Sequence, residues 1–289
     1  MIKKSLTLII ALLCVSAAHA LDVQGHRGTR WTRPENTLAA FREAMNLGVD
    51  TLEMDLNVTS DNVAVVTHNT TLNPDICLDP EGRKITKSIP IRSLTLAELR
   101  RYDCGTLKNP KFAEQVPVAG EKIPTLEEVF NMVRTERPDL INSIRFNIET
   151  KMDEAHPADS PTPQEFAAIV APVLNASGFA ERITIQSFDW RTLPEMKRLS
   201  PRIKLSLLIG KGNLMAFLKL PCAVDIVSPP YQLVTGHMVN SYHKKGIAVL
   251  PWTVNSEHAW ARMVKLGVDG IITDNPGGLI QFLKQSQQH

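Results

Sequence analysis

The sequence predicts an α/β fold of the TIM-type (β/α)8 barrel kind, with one insertion on the rim after the second strand. Three observations carry that expectation. Eight short apolar or β-branched runs open at Val23, Thr51, Ser143, Ile183, Lys204, Asp225, Ala248 and Gly270, each followed by a stretch of helical periodicity. Polar residues gather where those runs end: His26 and Arg27, Glu53 and Asp55, Glu149 and Lys151, Gln186, Trp252 and Asn255, and Asp274. From Asn69 to about Lys122 the alternation breaks down, with prolines at Pro74, Pro80, Pro90, Pro110 and Pro117. A doubly wound sheet also carries its chemistry at strand ends, so the clustering alone says α/β; the count of eight selects the barrel.

The elements follow in order. Strand one, Asp22–Gly25, runs into the turn Gly25-His26-Arg27-Gly28. Pro34-Glu35-Asn36-Thr37 starts a helix with Asn36 as a candidate N-cap; Leu38, Phe41, Ala44 and Met45 share one face, and Gly48 ends it. In strand Thr51–Val58, Thr51, Glu53, Asp55 and Asn57 point one way and Leu52, Met54, Leu56 and Val58 the other. A companion strand over 63–67 ends at His68, and the insertion, about 69–122, holds one short helix over 95–102. Alternation then resumes with helix 125–134, strand 143–150, helix 163–176, strand 183–188, helix 190–199 and strand 204–209. A short helix over 214–218, strand 225–228, helix 234–245, strand 248–254, helix 257–266, strand 270–273 and helix 277–284 complete the count.

Ahead of the barrel, Lys3 and Lys4, an apolar run over 6–15 and Ala18-His19-Ala20 read as a signal peptide, 1–20, leaving 21–289 as the barrel domain. The run is shorter than the ~20 apolar residues a spanning helix needs, so export to the periplasm or the medium is expected, without a stable membrane span in the mature protein. Of 32 basic residues, loss of Lys3 and Lys4 leaves 30 against 30 acidic ones, a balance that argues against a nucleic-acid partner. Export also changes the meaning of the cysteines. Cys77 and Cys104 lie in the irregular region that gains from a cross-link, so a disulfide between them is expected, with Cys222 free; the alternative is three buried thiols.

The strand-end residues suggest specific chemistry. Glu53 and Asp55, two apart on one strand face, repel unless a cation lies between them, and Glu149 adds a third oxygen donor. Three carboxylates with no cysteine favour a hard cation, Ca²⁺ or Mg²⁺, over zinc. The competing reading is a set of salt bridges to Arg27 and Lys151. A phosphodiester needs one group to take the nucleophile's proton and another to protonate the departing alkoxide, and His26 and His68 stand at strand ends to share those roles. Either alone could equally be a structural histidine. Arg27 offers a fork for two phosphate oxygens, or else an ion pair.

The fragments GHRG at 25–28, PENT at 34–37, LEMD at 52–55, VVTH at 65–68, NIETK at 147–151, QSFD at 186–189, WTVN at 252–255 and DGIITDNP at 269–276, in this order, resemble the glycerophosphodiester phosphodiesterase family. The resemblance runs from Val23 to about Gly278. It implies a barrel that uses a divalent metal to hydrolyse a small-molecule glycerophosphodiester to sn-glycerol 3-phosphate and an alcohol. Carried over by position, it implies His26 and His68 as the acid/base pair, Glu53, Asp55 and Glu149 as metal ligands, Arg27 and Lys151 at the phosphate, and Trp252 as an aromatic wall of the glycerol pocket. Two positions depart from the family pattern. Asn69 stands where an aspartate usually follows the second histidine, which removes a charge that would tune it, and Asn73-Pro74-Asp75 replaces a frequent Arg-Thr-Thr. Two rival functions follow: a lysophospholipase-D-like hydrolase on the same barrel, and an exported phosphodiester-binding protein without catalysis.

Overall fold

The computed structural model describes residues 21–153, 155–210 and 219–286. The expected leader and the short helix over 214–218 lie outside the described residues. In chain order the elements are β1 Asp22–Gly25, α1 Leu38–Leu47, β2 Thr51–Val58, β3 Ala64–Val66, α2 Leu96–Leu99, α3 Leu126–Glu136, β4 Arg145–Thr150, α4 Pro163–Ala176 and β5 Ile183–Ser187. They continue as α5 Thr192–Leu199, β6 Lys204–Leu208, β7 Ile226–Ser228, α6 Gly236–His243, β8 Ala248–Val249, α7 Glu257–Leu266, β9 Gly270–Thr273 and α8 Pro276–Ser286.

Eight strands pair in parallel in the order β8-β7-β6-β5-β4-β2-β1-β9, and β3 pairs antiparallel with β2 outside that round. Single backbone bonds bring the two ends together: Asp269 donates to Val249 (3.1 Å), Ile272 to Pro251 (3.0 Å) and Val254 to Ile272 (3.0 Å). The result is the nearly closed (β/α)8 barrel. Strand β8 is shorter than the expected 248–254 because Pro251 has no N–H to give to a ladder.

Strand β2 shows how an alternating sequence becomes a strand buried on both sides, since all eight of its residues are buried. Leu52, Met54, Leu56 and Val58 join Phe41, Met45, Phe130 and Phe146 in the layer between barrel and helices. There Phe130, Phe146 and Phe179 pack with ring centroids 4.9–5.6 Å apart. Thr51, Glu53, Asp55 and Asn57 take the opposite face, so charged groups enter the barrel interior and must find partners there.

Helix starts follow local chemistry. Thr95, Thr125 and Thr162 cap α2, α3 and α4, each in a reciprocal box with the glutamate three residues on. At α1 the cap is Thr37, whose hydroxyl accepts from Ala40 N, and not Asn36 as expected. Asn36 has φ +56°, and its side chain turns inward to the site.

The insertion has a small core of its own, with Leu72, Ile85, Ile91, Leu99 and Ile123 around a Cys77–Cys104 disulfide, as expected from the sequence. Cys222 is free. Gln115 ties the insertion to the loop after β1, donating to Arg30 O (2.8 Å) and Arg33 O (3.0 Å), while Phe112 lies edge-on to Trp31 and under the Arg30 guanidinium.

Candidate active site

All of the site residues expected from the sequence converge at the carboxyl ends of β1, β2 and β4, the segment after β3, and the loop after β8. The turn after β1 is held tightly: His26 N donates to Thr273 O (2.9 Å) and Gly28 N to Gly25 O (3.1 Å). A Cβ on Gly25 would lie 2.1 Å from Gly28 O, and one on Gly28 (φ +84°) would lie 2.7 Å from the Ala40 backbone. Glycine is required here by the turn's own backbone and by α1. Arg27, with φ +53°, directs its N–H onto Glu53 Oε2 (2.8 Å).

Glu53, Asp55 and Glu149 are buried, and each offers an oxygen within 4.8 Å of the others. Parallel pairing of β2 with β4 sets Asp55 directly beside Glu149. Burial, then the charge on Asp55, pushes Glu53 well above the ordinary carboxylate range. Burial likewise raises Glu149 to about 7 even though Lys151 opposes it. For Asp55 burial acts upward too, but Arg27, His68 and Lys151 outweigh it and hold that carboxyl well below its usual value.

The competing salt bridges are also present, in part. Asp55 meets Arg27 Nε at 3.2 Å and Lys151 Nζ at 3.5 Å, and Lys151 lies 2.7 Å from Glu149. Glu53 pairs with neither; its oxygens accept from Arg27 N and Gln186 Nε2 (2.8 Å), and His26 Nε2 stands 3.9 Å away. Arg27 is shared with Glu35, 2.6 Å from its Nη1. Asp55 Oδ1 is buried without a hydrogen bond. A buried carboxylate oxygen with no hydrogen bond and only a 3.5 Å ion pair to Lys151, beside two carboxyls driven toward protonation in an all-oxygen donor set, fits a hard divalent cation.

The two histidines differ in what holds them. His26 Nδ1 lies 2.5 Å from Asp274 Oδ1, and burial, the largest influence, lowers its pKa against the pull of Asp274. His68 Nδ1 lies 2.6 Å from Asn69 Oδ1, and burial first lowers that ring to about 4. Asn69 therefore gives His68 a hydrogen-bonding partner that carries no charge. Both rings line one cleft of about 190 Å³ together with Arg27, Arg30, Glu53, Glu149 and Trp252. Trp252 is fixed by its Nε1 on Ser228 O (2.8 Å) and meets Phe188 edge-on at 5.5 Å. Lys151 and Asp55 join through their ion pairs with Glu149 and Arg27.

The sequence marked several supporting residues without showing what each one holds. Asn36 donates to Asp55 Oδ2 (2.9 Å), Gln186 holds Glu53, Glu35 holds Arg27, and Arg30 holds Asp274 (2.5 Å). Gln186 and Asp274 stood at strand ends and in the fragments QSFD and DGIITDNP, and Glu35 and Asn36 lie in PENT. Asn36 and Arg30 lie on the loop between β1 and α1, where no periodicity reveals which way a side chain turns.

A barrel with two histidines, three carboxylates and fixed basic side chains around one cleft has the groups of a hydrolase for an anionic ester. The chain belongs to the glycerophosphoryl diester phosphodiesterase family, whose model matches residues 26–278, and it is an enzyme. A glycerophosphodiester phosphodiesterase of Caldanaerobacter subterraneus subsp. tengcongensis is 32% identical over 272 residues, 91% of this chain and 98% of that one. A lysophospholipase D of Rattus norvegicus is 25% identical over 283 residues, 89% of this chain and 84% of its own. Among solved structures, one from Silicibacter pomeroyi, assigned to the same family, superposes with a TM-score of 0.84 at 30% identity, covering 93% of this chain and 94% of that one. A phosphodiesterase of Oleispira antarctica, solved with sn-glycerol-3-phosphate, shares the fold at a TM-score of 0.70 and 22% identity, over 91% of this chain and 96% of its own.

Proposed function

We propose that the protein hydrolyses glycerophosphodiesters to sn-glycerol 3-phosphate and an alcohol, with His26 and His68 as the acid/base pair. The carrying observation is that both rings open on the same cleft as the carboxylate cluster, each with Nδ1 already engaged. Nε2 is then the nitrogen left for proton transfer on either ring. One histidine takes the proton of the attacking hydroxyl as the new P–O bond forms; the other gives its proton to the alkoxide as the old P–O bond breaks. Arg27 binds phosphate oxygens through its guanidinium, Lys151 adds positive charge, and Trp252 supplies a wall for the glycerol carbons.

Glu53, Asp55 and Glu149 would hold one divalent cation, Ca²⁺ or Mg²⁺. When bound it supplies Lewis-acid stabilisation of the charge that develops on the phosphate. A second reading, hydrolysis of lysophospholipids, is favoured by Phe188 and Trp190, 39% and 42% exposed, in the segment following β5, where an acyl chain would find apolar surface. We do not retain a binding protein without catalysis, because the family is one of enzymes and Asn69 still holds His68. Export is part of the proposal: the charged and apolar leader pattern supports it, and so does the Cys77–Cys104 bond, which persists in oxidising compartments.

Release of glycerol 3-phosphate from glycerophosphocholine, compared with choline release from lysophosphatidylcholine, tests this function. Faster turnover of the water-soluble diester supports the first reading, and turnover of the lysolipid alone supports the second. His68→Ala or His26→Ala should each cut turnover by orders of magnitude to a small residual rate, and near-normal activity in either would remove the paired role.

A further inference from the structure

Asp274 follows β9 directly and is 2% exposed, yet both of its carboxylate oxygens are fully engaged. Its Oδ1 meets His26 Nδ1 (2.5 Å) and accepts from Arg30 Nε (2.5 Å). Its Oδ2 accepts from Arg30 Nη2 (3.2 Å) and Asn255 Nδ2 (2.6 Å). The backbone is pinned as well, because Asp274 N donates to Asn255 Oδ1 (2.9 Å) and Trp31 N donates to Asp274 O (3.2 Å). Arg30 and Asn255 Nδ2 are both donors, so this carboxylate serves as acceptor only, and the shared hydrogen at His26 must sit on Nδ1. His68 is held differently. Its partner Asn69 is an amide, which presents an acceptor or, turned over, a donor, and so does not dictate a tautomer.

We propose that Asp274, braced by Arg30 and Asn255, is the positioning residue that locks His26 in the Nδ1–H form, so that the unprotonated Nε2 faces the cleft. This rests on the reading of His26 as half of the acid/base pair. Asp274 does not touch the substrate; it sets which nitrogen of the ring exchanges the proton. Among the described residues no carboxylate bonds His68 Nδ1, whose partner is the Asn69 amide, so the two rings are unequal by construction: one has a fixed tautomer and one an adaptable tautomer.

The test is Asp274→Asn, which keeps the shape but offers only one accepting oxygen to four N–H groups from three residues. Loss of kcat on the order of 10² to 10⁴, with KM within about threefold of wild type, is expected by analogy with other carboxylate–histidine pairs. In the His26→Ala background the same substitution should change the residual rate by less than about twofold, because Asp274 acts through that ring. Nitrogen-15 spectra of the wild-type protein should show His26 protonated at Nδ1 and bare at Nε2. Three results would overturn the proposal: Asp274→Asn with kcat within about threefold of wild type while His26→Ala is inactive, a large further loss in the double variant, or a wild-type His26 protonated at Nε2. Full activity in His26→Ala would instead remove the reading on which it rests. Should Asp274→Asn fail to fold, the wild-type spectrum decides alone.

Discussion

His68 and Asn69 show what a single side chain changes. The amide preserves the hydrogen bond at 2.6 Å, and burial keeps the ring at about 4. Asn69→Asp would add a negative charge at that distance, which favours the imidazolium and raises the His68 pKa. The limb of the kcat/KM–pH profile that belongs to His68 should therefore move to higher pH, and an unmoved profile would show that His68 does not govern it. Glu149 makes the complementary case. Burial lifts it to about 7, a sign that three buried carboxyls are too many for Arg27 and Lys151 alone. Glu149→Gln should leave the melting temperature in EDTA unchanged or higher, while weakening divalent-cation binding on the order of tenfold or more. A marked destabilisation without metal, or cation affinity equal to wild type by calorimetry, would contradict the ligand assignment. Among single residues, the carboxylates were legible because strand alternation fixes their direction, and the histidines because they stand just past the ends of strands. Asn36 was not, because a positive φ turned it from an expected helix cap into a partner of Asp55.

Elements were legible to the extent that hydrogen bonding follows the apolar pattern. Helices α4 and α7 match the expected ranges, since a capping threonine or serine, and for α7 a terminal Gly267, mark their ends. Strand β8 was overextended because a run such as Leu250-Pro251-Trp252 looks like a strand while Pro251 has no donor to offer. The insertion gave little periodic signal because its cohesion comes from a small satellite core and one disulfide. That cross-link closes a loop with a sequence separation of 27. Replacing Cys77 and Cys104 by serine should cost about 3 kcal/mol of stability, read as a lower melting temperature than the oxidised wild type. The loss should also reach the site, since Gln115 holds the loop that carries Arg30, and Arg30 braces Asp274. Gln115→Ala, with the disulfide intact, should lower kcat more than it lowers the melting temperature. Equal activity in Gln115→Ala and wild type would show that the insertion does not steady the site.

At the scale of the whole molecule, eight parallel strands, with antiparallel β3 leading into His68, bring the expected site residues to one end of the barrel, and the β2–β4 register alone sets Asp55 against Glu149. The barrel was legible from counting strands. Its closure was not, because β8 meets β9 through isolated bonds that no residue pattern announces. A shared cleft with buried, crowded carboxylates makes sense as a site completed by a cation, and the reaction should depend on that cation. The direct measurement is glycerol 3-phosphate release from glycerophosphocholine by protein stripped with EDTA and then supplied with Ca²⁺ or Mg²⁺. Activity should vanish on stripping and return with at least one of the two ions. Full turnover by the stripped, metal-free protein would contradict the role given to Glu53, Asp55 and Glu149.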